Sequence, residues 1–273
     1  MKLEDIGVVI LSHGRRDKLE KSLKSYEENG LTDMVGDNFI FFNEVANDDI
    51  SLIENDYKKF EWGGHPVNCG IGWGMVKGIE DCSTKYVLFL ENDFELAADK
   101  NDIYTQLELG YRNLEKNNVD IIKYRQVKDY IHTSNEAMHW AGKVDLTGHI
   151  DSEEGRQGCP EKNWWIGFAV EEKFGYNNSD ICEKLDDVWS SHNNEEETVL
   201  WRMPCEYANW SNNPFLCNKE WFLDLAAQVG FKEMGTPSNS RSPDFEEQIE
   251  INGWWQKQDY RVGILPGLFK HQP

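Results

Sequence analysis

The sequence predicts an α/β fold, and three observations carry that prediction. Apolar runs alternate with helix-period stretches over the first hundred residues. The third apolar run, Tyr86 to Leu90, ends abruptly in Glu91, Asn92 and Asp93, with Glu95 just beyond. A glycine-rich stretch, "NCGIGWGMVKG", lies immediately ahead of that run. Buried strands normally give way to Gly, Pro or Ser, so a strand ending in carboxylates is a placement to be explained.

Taken in order, "IGVVILSH" from Ile6 reads as a buried strand. "RRDKLEKSLKSYEENG" spaces Leu19, Leu23 and Tyr26 on one helical face and stops at Asn29-Gly30. "NFIFFNEV" is the second strand; the stretch from "WGGH" through the glycines reads as a loop, followed by a short helix over about 72–82 and then the acidic strand. "YTQLELGYRNLEKNN" and "VDIIKYRQV" continue as helix and strand. Strand–helix alternation implies right-handed crossovers and a largely parallel sheet. From about 129 to 194 the pattern weakens; order returns in "ETVLWRMPCEYANWSNNPFLCNKEWFLDLA" as strand, loop and helix, then as a helix around "PDFEEQIE" and a terminal apolar segment, "YRVGILPGLFKHQP". No repeat or linker divides the 273 residues, so one domain is expected.

Composition narrows the function classes. With 49 acidic against 28 basic residues and a net charge of −21, extended binding to nucleic acid is not expected, because duplex affinity rests on Lys and Arg. Six cysteines without a C-x-x-C pair, and an N-terminal apolar run too short for a signal or a membrane span, point to a cytoplasmic chain with free thiols and no membrane span. The glycosylation-type triplets at Asn177 and Asn209 are then idle. Eleven tryptophans serve equally as core or as flat platforms for sugars.

In a parallel sheet ligands bind at the carboxyl ends of strands, where Ser12, His13, Glu44 and Glu91 to Asp93 would gather. Closely spaced oxygen ligands on such a turn suit Mg²⁺ or Mn²⁺. The glycines, Gly70 and Gly74 among them, allow the backbone near Asn68 to approach a ligand closely, although their spacing is not that of the dinucleotide motif.

These residues carry a resemblance. "VVILSHGRRDKLEKSL", followed by "NCGIGWGMVKGIEDCSTKYVLFLENDFEL", is similar to the nucleotide-sugar half of GT-A fold glycosyltransferases of the family 2 type. There an Asn-x-Gly loop precedes a helix and an apolar strand ending in a D-x-D-like signature. Here the signature reads Glu91-Asn92-Asp93, departing in its first acid and keeping the final Asp. The resemblance covers about the first hundred residues. It implies a GT-A (Rossmann-like) nucleotide-sugar-binding fold with a mixed central sheet and helices on both faces. It also implies a single catalytic domain over 1–273, with a donor half over about 1–125 and an acceptor half over about 126–273. Ser12, Arg15 and Glu44 would lie near the nucleotide, with His13, Asn68, Gly70, Gly74 and Asn92 beside them. Glu91 would lie near the ribose or metal, and Asp93 would bind the metal.

Two further features of such enzymes have counterparts. "PDFEEQIE" supplies Asp244, Glu246 and Glu247, with Glu247 where a catalytic base is expected, and His271 follows some two dozen residues later as a second metal ligand. Trp210, Asn212 and Asn213 are candidates for stacking on and hydrogen-bonding an acceptor; a helix-capping turn with Trp210 in the core is the equal alternative. The same ambiguity holds for Trp164-Trp165 and Trp254-Trp255. The resemblance implies a metal-dependent, inverting transferase moving a sugar from a nucleoside-diphosphate donor, UDP being commonest for this fold, to a glycan or glycoconjugate hydroxyl. A non-catalytic carbohydrate-binding protein and a sugar nucleotidyltransferase are the competing classes. Against the latter, "LSHGRRDKL" lacks the long Gly- and basic-rich loop that grips a triphosphate.

Overall fold

The computed structural model describes residues 3–125, 183–185, 198–205, 208, 210–212, 214–231, 245–250 and 253–272, without the side chains of residues 184, 247 and 250. In chain order the elements are β1 (Leu3–Ser12), α1 (Arg16–Glu28), α2 (Leu31–Met34), β2 (Val35–Asn43), α3 (Asn47–Asp56), β3 (Glu61–His65), α4 (Ile71–Asp81), β4 (Tyr86–Glu91), β5 (Phe94–Leu96), α5 (Lys100–Glu115) and β6 (Ile121–Arg125). They continue with β7 (Glu183–Lys184), β8 (Trp201–Pro204), β9 (Phe215–Asn218), α6 (Lys219–Gln228), α7 (Phe245–Glu250) and β10 (Arg261–His271).

Side chains alternate across a strand, and β1 shows the result. Val8 and Ile10 enter one core with Leu19, Leu23 and Tyr26 of α1; Val9 and Leu11 enter a second with Met75, Val76 and Ile79 of α4. The first core also takes Leu52 of α3 and Leu107 of α5, and the second takes Phe222 of α6 and Phe245 and Ile249 of α7. Helices therefore cover both faces, and the central strands read as continuous apolar runs because neither face meets water. The helix starts are local choices: the Asp99 carboxylate accepts from the N–H groups of Asn101 and Asp102 ahead of α5, and the Asn218 side chain accepts from the Trp221 N–H ahead of α6.

The strands form one sheet in the order β3-β2-β1-β4-β9-β6-β10-β8-β7, with β5 paired to β10 off that path. Strands β1 to β4 are parallel in their pairings β1·β2, β1·β4 and β2·β3, as expected. The expectation of a largely parallel sheet fails further along. Strand β9 inserts antiparallel between β4 and β6, and β8 lies antiparallel to β10. Local periodicity cannot reveal an insertion by a strand more than a hundred residues downstream.

Strand β3 opens the stretch expected as a loop ahead of α4, and helix α3 fills the unassigned stretch before it. Helix α3 precedes β3, and β3 carries Gly63 and Gly64 in a parallel edge strand. The glycines are there for packing: a Cβ on Gly63 would lie 2.9 Å from the Phe39 ring, and one on Gly64 would lie 2.7 Å from the Phe42 carbonyl oxygen and 2.3 Å from Val45 Cγ2. Gly64→Ala is therefore expected to destabilise the fold by about 1–3 kcal/mol through overpacking, measured as a lowered denaturation midpoint. An unchanged midpoint would show that β3 shifts without cost.

The terminal apolar segment is the long strand β10, bent at Pro266-Gly267, where Gly267 has φ 93°. Buried Gln106 holds the bend by accepting from the Gly267 N–H at 2.9 Å. Before the bend β10 pairs parallel to β6; after it, Phe269, Lys270 and His271 pair antiparallel to β5.

Candidate active site

Because β9 is antiparallel to both β4 and β6, those two strands point the same way, and β10 points with β6. The carboxyl ends of β1, β2, β4, β6 and β10 thus share one rim of the sheet. That rim carries Ser12, Asn43, Glu91, Arg125 and His271.

Past β1 the chain turns through two left-handed residues, Gly14 (φ 59°) and Arg15 (φ 50°), into α1. Past β2, Glu44 is also left-handed (φ 86°). A side chain in this region is strained by about 1–2 kcal/mol. Two of the three non-glycine residues so held in the described structure stand on this rim, the third being Asn117 after α5. Such strain collects at functional sites and persists where surrounding contacts over-determine it.

Those contacts are visible. The Arg15 guanidinium, 61 % exposed, donates to Asp93 Oδ2 at 2.8 Å. His271 Nε2 lies 3.2 Å from the same oxygen, brought there by pairing of His271 with Phe94. The Asp93 residue is only 3 % exposed, and its other oxygen, Oδ1, is buried with no hydrogen-bond partner among the described residues. Burial pushes the Asp93 carboxyl up, but the hydrogen bond and charge of His271, with Arg15 and Lys18, outweigh it and hold the carboxyl below its usual value. Asp93 is therefore an anion throughout the neutral range.

A buried carboxylate with one unsatisfied oxygen, beside an imidazole, is a donor set that fits a hard divalent cation. No cluster of three or more His, Cys, Asp or Glu side chains able to hold a metal occurs among the described residues. The remaining positions of a cation would fall to phosphate and water oxygens, the usual arrangement for Mg²⁺.

On the other side of the rim Asn68 organises the turn into α4. Its Oδ1 accepts from Asn43 Nδ2 at 3.1 Å and from the Gly70 N–H at 2.8 Å, which directs its Nδ2 to His13 Nε2 at 3.0 Å. His13 Nε2 also lies 3.2 Å from Glu44 Oε2. In a neutral ring one nitrogen cannot both accept from Asn68 and donate to Glu44. The Glu44 side chain is 59 % exposed, so its carboxylate can accept an N–H or O–H from a ligand whichever partner His13 takes.

Several expected contacts prove to be internal. Ser12 and Asn92 are buried: Asn92 Nδ2 donates to Ser12 Oγ at 3.3 Å and to the Gly14 carbonyl at 3.0 Å, so both side chains build the turn that presents Arg15. Gly74 lies against the sheet, where a Cβ would fall 2.6 Å from Leu11 Cδ1, and its place is set by helix–strand packing. Gly70, at φ 88° and ψ 158°, enters α4 in a conformation that is essentially glycine's alone. Glu91 is half-buried where β4 leaves the core, beside Leu11 of β1.

On the acceptor side, the packing of Trp210 matches the core alternative. Trp210 is 1 % exposed, with its ring packed among Phe215, Phe222, Phe245 and Trp255 at centroid distances of 5.2–6.3 Å, and it offers no face to a sugar. Asn212 is buried beside it and accepts the indole N–H at 3.1 Å. Trp255 is likewise core, whereas Trp254 is partly buried. Asn213, Asp244, Trp164 and Trp165 lie outside the described residues. Of the other carboxylates expected as base, Glu246 is half-buried on α7 and Glu247 is on the same helix. Helix α7 is anchored through Phe245 and Ile249 in the second core.

Asn43 was not anticipated. It is buried, and its Oδ1 accepts from the Cys69 N–H at 2.7 Å, which fixes the loop that holds Asn68. The signal was available: an amide ending the apolar run "FIFFN" parallels the carboxylates ending β4. Cys69, Cys82, Cys205 and Cys217 are free thiols, as expected; burial pushes the Cys217 thiol up most. Among the described residues no helix is long and apolar enough to cross a membrane.

The mixed sheet, its two helical layers and the carboxylate turn after β4 define a GT-A-type α/β fold. The chain superimposes along its full length on Staphylococcus aureus TarS, a GT-A-type glycosyltransferase. With residues 1–349 of TarS the TM-score is 0.51 at 11 % identity, covering 100 % of this chain and 60 % of that one; with a longer TarS chain the values are 0.50, 10 %, 100 % and 37 %. This chain therefore spans less than two thirds of either structure. At such identity the likeness is one of fold. No protein-family model matches the chain, and no match is found among curated proteins.

Proposed function

We propose that this chain is a glycosyltransferase that moves a sugar from a nucleoside-diphosphate donor to a hydroxyl of a glycan or glycoconjugate, with Mg²⁺ or Mn²⁺ as cofactor. The observation that carries the proposal is the meeting of Asp93, His271 and Arg15 at the carboxyl rim of a GT-A-type sheet. TarS supports it as an example of the fold in a glycosyltransferase.

Asp93 and His271 would hold the cation, which when bound neutralises charge on the departing diphosphate. Arg15 places a fixed positive charge at the same point, already oriented by its turn, and so stabilises the leaving group without reorganisation. Glu44 accepts from the donor on the far side of the rim. Glu247 on α7 takes the proton of the attacking acceptor hydroxyl, with Glu246 and Asp244 as its nearest substitutes. One base and in-line attack invert the anomeric centre. UDP is the proposed nucleotide, on the strength of the fold.

Calorimetry with a panel of nucleoside diphosphates and nucleotide sugars, in Mn²⁺ and in EDTA, tests the donor site. Manganese-dependent binding of one nucleotide is expected; no binding under any condition rejects the proposal. Glu247→Gln is expected to reduce transfer by about 10²–10⁴-fold, the range of general-base catalysis, with donor affinity unchanged. Equal loss of donor affinity would show that Glu247 is not the base.

A further inference from the structure

We propose that Gln272 is a positioning residue: its side-chain amide latches the end of β10 onto α1 and so holds the His271 imidazole against Asp93. The inference builds on the reading of Asp93 and His271 as the cation-holding pair.

Strand β10 reaches Asp93 only through its last residues. Phe269, Lys270 and His271 lie opposite Leu96, Glu95 and Phe94, and the ladder closes with the Gln272 N–H donating to the Asp93 carbonyl at 2.8 Å. Beyond that bond no further strand pairing of this end occurs among the described residues. The Gln272 side chain supplies the hold instead. It is 4 % exposed, and its amide donates from Nε2 to the Lys18 carbonyl at 3.0 Å and to Ser22 Oγ at 2.7 Å. The Gln272 carbonyl in turn accepts from Lys18 Nζ at 3.2 Å.

Ser22 joins this latch to the acidic turn. Its hydroxyl accepts from Gln272 and donates to the Asn92 carbonyl at 3.1 Å, so one buried hydroxyl on α1 touches both segments that carry the pair. Successive side chains of an extended chain point to opposite sides. With Gln272 anchored inward on α1, His271 is directed the other way, where its Nε2 meets Asp93 Oδ2. Two N–H donors facing two acceptors explain the residue type: Met has the length without donors, and Glu would set a carboxylate against a carbonyl.

The test uses the full chain, ¹⁵N-labelled, as wild type, Gln272→Met, His271→Ala and the double variant. Gln272→Glu serves as a second probe that keeps length and lacks the N–H groups, and thermal melting confirms folding of each. Without metal, long-range ¹H–¹⁵N spectra of the imidazoles should show the His271 ring nitrogens shifted in both Gln272 variants. Titration with Mn²⁺ alone should show affinity lowered by about 10–100-fold in Gln272→Met, the usual effect of losing an outer support of a metal ligand. In the His271→Ala background the same change should cost nothing more. Unchanged His271 signals, or an equal loss in both backgrounds, would overturn the proposal. Shifted His271 signals in a protein whose wild type binds no Mn²⁺ would leave the latch standing and reject the cation reading.

Discussion

Asp93→Ala is expected to abolish manganese-dependent donor binding and transfer while leaving the chain folded. Asp93 is the buried anion on which the rim converges, with Arg15 and His271 both at its Oδ2. Loss of a charge-neutralising cation from a transfer site removes several kcal/mol of stabilisation, on the order of 10³-fold in rate. Structural cost should be small by comparison. Arg15 is 61 % exposed, so water takes over the hydrogen bonds of its guanidinium once the pair is gone. Arg15 is also left without its anion, so weak nucleotide binding that is insensitive to EDTA should remain. Calorimetry in Mn²⁺ and in EDTA, set beside the thermal midpoint, separates these effects. Manganese-dependent binding as strong as in wild type would place the cation elsewhere and reject the site. Asp93→Asn refines the result by keeping the shape and one oxygen while removing the charge.

Trp210→Ala is expected to destabilise the fold by about 3–5 kcal/mol, the range for removing a large aromatic from a core. The indole packs on Phe215, Phe245 and Trp255 and gives its N–H to Asn212, which the substitution leaves buried without that donor. Lys123 also lies over the ring, with Nζ 4.7 Å from the centroid, and loses that contact. The consequence for function is indirect. Phe245 opens α7, so a cavity beside it loosens the helix that carries Glu246 and Glu247. Urea denaturation measures the cost, and Trp210→Phe should recover much of it by keeping most of the packing. A loss below about 1 kcal/mol, the scale of a surface change, accompanied by weakened glycan binding, would return Trp210 to an acceptor role.

The rim at the carboxyl ends of β1, β2 and β4 was largely legible because its signals are local. A strand buried on both faces must be apolar throughout, so a polar residue at its end marks where the chain leaves the core. That rule found Ser12 and Glu91 to Asp93, and applied to "FIFFN" it would have found Asn43. It did not say which way each side chain turns. Ser12 and Asn92 bond to each other, whereas Asp93 faces Arg15, and nothing local in the sequence marks which partner each takes.

Periodicity failed where glycine had a packing role. Gly63 and Gly64 read as a loop because glycine is the residue of loops, yet they lie in β3, where a neighbouring strand leaves no room for a Cβ. Trp210 read equally as platform or core, since an indole suits both; the four aromatic rings packed against it come from positions 215 to 255 and settle the matter.

By itself the sequence determined β1, α1, β2, α4, β4, α5, β6 and the carboxylate turn after β4, through interactions between near neighbours in the chain, but not α3 or β3. The tertiary structure alone decided that β9 separates β4 from β6 and that Gln272 grips α1, and it brings His271, which the resemblance had grouped with Asp93, onto that carboxylate across 178 positions. Those pairings depend on closing long loops, and their energy comes from packing and hydrogen bonds between segments that carry no local mark of one another.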